Sequence, residues 1–225
     1  MNNVDVQLAY DFICPWCWVG HRHLKSALES EKSQVVATLS YVPYELNPNL
    51  PWSGVDRKGY RTAKFGSWAR SQAMDADVVV AGKKVGLEFN YERVAITPNT
   101  RLAHRLMVYA RQSAGDEAKA DVLFESIFES YFSRGENIGR LDVLVSLAAS
   151  AGFDAEQTRK FLRSDRGEAE VAAKELQAQM EGVHAVPTIR IGAQQVRGAQ
   201  PPSILVEVLR TASARQPQIA GELPA

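Results

Sequence analysis

A chain of 225 residues, 45% of them hydrophobic, can bury a core without cross-links, which excludes the disulfide-stapled mini-protein class. Its 26 basic and 26 acidic side chains cancel, so no broad positive field marks it for nucleic acid or anionic lipid, and small molecules or proteins are the expected partners. No run approaches the roughly eighteen consecutive apolar residues of a membrane helix.

Val4, Val6, Leu8 and Tyr10 alternate with Asp5, Gln7 and Ala9, the period of a strand with one strongly apolar face. The same stretch lacks the basic cluster and apolar run of a secretory signal, which makes the cytoplasm the expected location. The chain turns at Asp11 to Ile13 and enters a helix from Pro15 to about Glu29. Pro15 suits the first helical position because the N–H it lacks has no partner there. Val35 to Val42 reads as a second strand, so the opening is a β-α-β unit with a parallel pair and a right-handed crossover.

From about residue 57 to 180 the pattern is helical. Thr100 caps a helix carrying Leu102, Ala103, Leu106 and Ala110; Val122-Leu123, Ile127-Phe128 and Tyr131-Phe132 mark another apolar face; and Leu141 to Ala148 make a third, ended by Gly152. Asp154 with Gln157 reads as the capping box of a fourth helix, and Gly82 to Tyr91 is the irregular stretch of the block. After Val183, Pro187 to Ile191 and Gln194 to Arg197 read as a hairpin around Gly192-Ala193. Pro201-Pro202 open a last helix to about Ala212, and Arg215 to Ala225 reads as a loose tail.

Both cysteines stand in Cys14-Pro15-Trp16-Cys17, at the strand-to-helix turn. A structural staple is rejected on magnitude, because closing so short a loop removes only about 2 kcal/mol of unfolded-state entropy. Zinc is the second reading, since Cys17, His21 and His23 follow Cys14 closely. On a helix, however, His23 points roughly 160° away from His21, so the four groups do not converge on one ion and no metal is expected. His21 and His23 are then exposed helix residues. The third reading is redox work. At the N-cap, a Cys14 thiolate accepts hydrogen bonds from the Trp16 or Cys17 N–H and gains from the helix dipole, which favours the thiolate. Cys14 is then the attacking sulfur, and Cys17, one turn in and more buried, resolves the mixed disulfide. Pro15-Trp16 brings no positive charge between the thiols, which suits isomerase or reductase work in a glutathione-buffered cytosol. Val186-Pro187, at the start of the late strand, reads by itself as an ordinary strand edge.

A strand, Cys-Pro-Trp-Cys, a helix, a strand, a helical block and Val-Pro-Thr before a hairpin together resemble the thioredoxin fold of DsbA-like oxidoreductases. Asp11 to Gly20, Asn99 to Leu106 and Gly198-Ala199-Gln200-Pro201 resemble its FrnE-type subgroup more closely. The resemblance implies an α/β chain with a discontinuous thioredoxin-like domain, residues 1–56 and 181–225, and a large all-helical insertion, residues 57–180. It implies that Pro187 is cis and faces the cysteines, with the Val186 backbone free to pair with an extended substrate segment. It also implies that Asn99, Thr100 and His104 lie in a helical lid near the site, so that Pro15, Trp16, Val186, Pro187, Asn99, Thr100, His104 and Gln200 form the substrate-facing set; the competing reading of Asn99-Thr100 is a plain helix start, and of His104 a packing residue. The implied chemistry is disulfide exchange with protein or small-molecule thiols, with no tightly bound cofactor. Glutathione enters as a redox partner, or as co-substrate in the related hydroxychromene-carboxylate isomerase and kappa transferase branch. Those enzymes typically carry serine at the position of Cys14, and retention of both thiols here favours redox chemistry.

Overall fold

The computed structural model describes residues 3–113 and 117–215. Strand β1 (Asn3–Tyr10) lies between two partners. On one side it pairs in parallel with β2 (Val36–Pro43) over eight residues, reached through helix α1 (Pro15–Glu31). On the other it pairs antiparallel with β5 (Thr188–Ile191), which turns through Gly192, at φ +56°, into β6 (Gln194–Arg197). The sheet order is β2-β1-β5-β6, closed by helix α9 (Pro202–Arg215). One face of this central strand is covered along its whole length, the other only at its C-terminal end. Val4, Val6, Leu8 and Tyr10 are accordingly buried, and Ala9 on the other face is buried against Ala178 and Val183.

Between β2 and β5 lie α2 (Arg57–Phe65), α3 (Trp68–Lys83), α4 (Arg101–Ser113), α5 (Glu117–Phe132), α6 (Leu141–Ser150), α7 (Ala155–Arg163) and α8 (Glu168–Met180). The Asp154 side chain accepts from the Gln157 N–H at 2.7 Å, capping α7 as its spacing predicts. A two-stranded ribbon, β3 (Val55–Asp56) with β4 (Ile96–Thr97), has no counterpart in the periodicity, because two residues are too few to show one. Gly82 lies within α3, whose end precedes the irregular stretch. Of the tail read from sequence, Arg215 closes α9, and residues 216–225 lie outside the described residues. Among the described residues no helix is long and apolar enough to cross a membrane.

The helical block and the sheet share one core. Tyr10 and Phe12, at the end of β1, pack edge-on or tilted against Phe124 and Phe128 of α5, with centroids 4.8–5.5 Å apart apart from the wider Tyr10–Phe128 pair at 6.4 Å. Trp18 of α1 stacks on Phe128 and Phe132. Such aromatic pairs add about 0.5–1.5 kcal/mol each beyond burial. Helix α8 touches both α4 and β2, binding the segment's far end to the sheet.

Because Phe128 is fully buried in this shared cluster, Phe128→Ala should lower stability by about 3–5 kcal/mol. Denaturant unfolding followed by circular dichroism and tryptophan fluorescence should show one coincident transition moving to lower midpoint; two separated transitions would show that the sheet and the helices hold separate cores.

Candidate active site

The end of β1 delivers the chain into a tight turn: the Cys14 N–H donates to the Asp11 carbonyl at 3.0 Å, and the Cys17 N–H to the Cys14 carbonyl at 3.0 Å. Cys14 has extended backbone at the N-cap of α1, with Pro15 opening the helix. The expected side-chain cap is absent. The Cys14 sulfur instead lies 3.5 Å from the Val186 carbonyl, to which the thiol donates. Both thiols are free and buried, but they differ in depth: Cys14 is 6% exposed and Cys17 0%. Burial first, and then the neighbouring Cys14 thiol, push the Cys17 thiol well above the usual thiol range.

The Val186–Pro187 peptide is cis, and Pro187 is buried against α1. Gly20 makes that approach possible: a Cβ there would meet Pro187 Cγ at 3.2 Å and Ala199 at 3.5 Å. On the open side of Cys14, a cleft of about 160 Å³ is lined by Pro15, Trp16, Leu46, Phe65 and Met74, with Arg57, Arg61 and Lys64 along one wall. Asp75 takes both Arg57 (2.7 Å) and Arg61 (2.8 Å), whereas Lys64 bonds the neutral Tyr60 hydroxyl at 2.9 Å. This wall was missed in the sequence, although Arg57, Arg61 and Lys64 stand at i, i+4 and i+7 on one helical face.

Of the substrate-facing set, Pro15 and Trp16 line this cleft with Cys14, and Val186, joined to Pro187 by the cis bond, meets the Cys14 sulfur through its carbonyl; Asn99, Thr100, His104 and Gln200 do not line the cleft. Asn99 starts α4: its Oδ1 accepts from the Arg101 N–H at 3.0 Å and its amide ties down the Leu50 carbonyl at 2.9 Å. Thr100 is buried beside it, its carbonyl accepting from the His104 N–H. Gln200 is exposed, bonding the Arg197 carbonyl and offering its own carbonyl to His23. His104 is buried against Tyr10 and Phe12.

His21 is not exposed as expected. It is 1% exposed, with Nδ1 2.7 Å from Glu125 Oε1 and Nε2 2.9 Å from the Tyr41 hydroxyl, because α5 covers that face of α1; His23 is half-buried against Gln200. Glu125 also accepts from Trp18 Nε1 at 2.7 Å and from Arg22 at 2.9 Å, clamping the cysteine-bearing helix to α5. Among the described residues no group of three or more His, Cys, Asp or Glu side chains is placed to hold a metal ion.

Residues 5–210 match the family model described as DSBA-like thioredoxin domain, so the chain belongs to that family. It is 27% identical over 199 residues to the Bacillus subtilis protein YwbO, described as uncharacterized, spanning 87% of this chain and 90% of that one. A probable DsbA oxidoreductase, SCO1869 from Streptomyces coelicolor, superposes with a TM-score of 0.87 at 25% identity, covering 98% of this chain and 94% of its own. The cytosolic disulfide reductase DsbM from Pseudomonas aeruginosa, solved with GSH, superposes at 0.62 with 17% identity over 92% and 98% of the two chains.

Burial pushes the Glu125 carboxyl up, but the hydrogen bonds from His21 and Trp18 and the charge of Arg22 outweigh it and hold the group below the usual carboxylate value. A carboxyl lowered in the folded state stabilises above its unfolded pKa and loses that contribution as pH falls through the folded one. Glu125→Gln should therefore melt below wild type at neutral pH, with the gap narrowing below about pH 4. Melting temperatures across pH check this, and a gap constant with pH would contradict it.

Proposed function

We propose that this member of the DSBA-like thioredoxin family is a thiol–disulfide oxidoreductase working through the Cys14–Cys17 pair. The observation that carries the reading is the difference in depth between two thiols one helical turn apart, the shallower one facing the cis-proline loop and an open cleft. Cys14 gives up its proton and attacks a substrate disulfide as the thiolate, one substrate sulfur leaves as a thiolate and takes up a proton in its place, and a Cys14–substrate mixed disulfide forms. Cys17 gives up its proton and attacks Cys14, so that the second substrate thiolate leaves and protonates. The substrate gains two electrons and the protein retains the Cys14–Cys17 disulfide; run backwards, the same steps oxidise a dithiol. The backbone at Val186 is the docking edge for an extended disulfide-bearing segment. With no cation between the cysteines, the couple suits reduction or isomerisation in a reducing compartment, and the cytoplasm is the location this reading carries.

A second reading, a glutathione-dependent isomerase or transferase, rests on the cationic wall. Lys64 faces the Cys14 cleft without a carboxylate partner among the described residues, a fit for a small anionic thiol.

Insulin reduction and refolding of scrambled ribonuclease separate the two. Cys14→Ser should lower both activities by on the order of a thousandfold, and Cys17→Ser should accumulate a mixed disulfide visible by mass spectrometry. Full retention by Cys14→Ser of a glutathione-dependent activity on a small molecule would replace the first reading with the second.

A further inference from the structure

A group of buried ionisable residues behind the cysteines has no part in the steps above. Asp11 and His104 are 0% and 1% exposed, with His104 Nε2 3.4 Å from Asp11 Oδ1 in a geometry too poorly aligned for a hydrogen bond. Glu45, 3% exposed, lies close enough to His104 for each to feel the other's charge. Arg101 reaches 2.5 Å from Glu45 Oε2 as an ion pair without hydrogen-bond alignment. Asp11 Oδ1, both ring nitrogens of His104 and both carboxylate oxygens of Glu45 thus carry no hydrogen bond among the described residues. Leaving a buried polar atom unbonded costs about 1–3 kcal/mol, so five in one place call for a use.

The file has a direction. At one end, the Asp11 carboxylate is close enough for its charge to be felt by the Cys17 thiol, while its Oδ2 accepts from the Leu46 N–H at 2.7 Å. At the other end, Arg101 lines a separate groove with Leu50, Trp52 and Asn99, and no residue lines both this groove and the Cys14 cleft. During resolution the substrate occupies the open side of Cys14, so a proton leaving Cys17 needs another way out.

We propose that Asp11, His104 and Glu45 form a buried proton path that takes the Cys17 proton from the sulfurs to the Arg101 groove; it rests on the dithiol reading above. Asp11 accepts the Cys17 proton, His104 takes it up and passes a proton to Glu45, and Glu45 releases one to solvent at the groove. The Cys17 thiolate then bonds to Cys14, the Cys14–substrate bond breaks, and the departing substrate thiolate is protonated by solvent. One proton leaves by the path and one enters at the cleft. No other oxidant is needed, because the substrate disulfide takes the electrons. His104 and Glu45 act through Asp11 and are positioning residues for this step. The titratable and charged groups facing the path are Cys14 at the N-cap and Cys17 within α1, Tyr10 of β1, Tyr131 of α5, Arg101 of α4, Glu168 of α8 beside Arg101 at the groove, and Glu175 of α8, whose carboxylate accepts the Glu45 N–H at 3.0 Å.

Mixing the reduced full chain with 5,5′-dithiobis(2-nitrobenzoate) in stopped flow separates the steps, since one thionitrobenzoate leaves on Cys14 attack and a second on Cys17 resolution. His104→Gln and Glu45→Gln should each slow the second release by about tenfold or more and alter its pH profile, with the first release at the wild-type rate. In the wild type, deuterium oxide should slow the second release more than the first. Folded variants in which both releases slow equally, or in which the second is unchanged, overturn the path. Should the variants not fold, equal isotope effects on the two wild-type releases overturn it. A wild type that stops after one release refutes the dithiol reading itself, a different failure from loss of the path.

Discussion

The site depends on β1 being shared. Its parallel pairing with β2 through Asn3–Tyr10 and its antiparallel pairing with β5 from Val6 to Ala9 hold the end of one strand beside the start of another. The residues just beyond those ends are Asp11 to Cys14 on one chain segment and Ala185 to Pro187 on the other. A one-residue slip would turn every side chain of β1 to the other face and bury Asp5 and Gln7 in place of Val6 and Leu8, so the register is held firmly. The 3.5 Å approach of the Cys14 sulfur to the Val186 carbonyl follows from that register and not from any contact the cysteines make themselves.

What separates the two thiols is packing. Cys14 sits at the helix mouth, where Trp16 remains 39% exposed and the cleft opens. Cys17 faces inward, fully buried in the shared core, where a negative sulfur is poorly solvated. Helix α1 is fixed in that orientation from three sides. Glu125 grips Trp18, His21 and Arg22, the Arg210 guanidinium of α9 takes both oxygens of Glu31 at 2.8 Å, and Gly20 lets Pro187 close in. The helical segment is therefore part of the site's foundation, since α5 supplies both the aromatic floor and the Glu125 clamp.

Local pattern made much of this legible. Alternation over Val4 to Tyr10, Pro15 at a first helical position, the Asp154 cap and the Gly192 hairpin are short-range signals, and each corresponds to an element found. Cys14 is the N-cap that its place before Pro15 predicts, but its sulfur turns to the Val186 carbonyl, an acceptor 172 residues away in the chain that no local pattern shows. His21 looked exposed on its own helix since the covering residues, Glu125 and Tyr41, belong to distant elements. Asn99 and Thr100 were drawn towards the site by resemblance, whereas their nearest contacts make a helix start and anchor the 48–50 loop. The cationic wall of α2 was visible as a spacing, but nothing local says which way that helix faces.

The proposed function makes Cys14 and Cys17 one two-electron couple. The most direct measurement is equilibration of the full chain across a series of reduced and oxidised glutathione mixtures, followed by acid quench, alkylation and intact mass. Only two populated species are expected, dithiol and intramolecular disulfide, with a single transition following a two-electron dependence. A stable single-glutathione adduct dominating across the series, or two thiols that remain alkylatable in the most oxidising mixture, would contradict it.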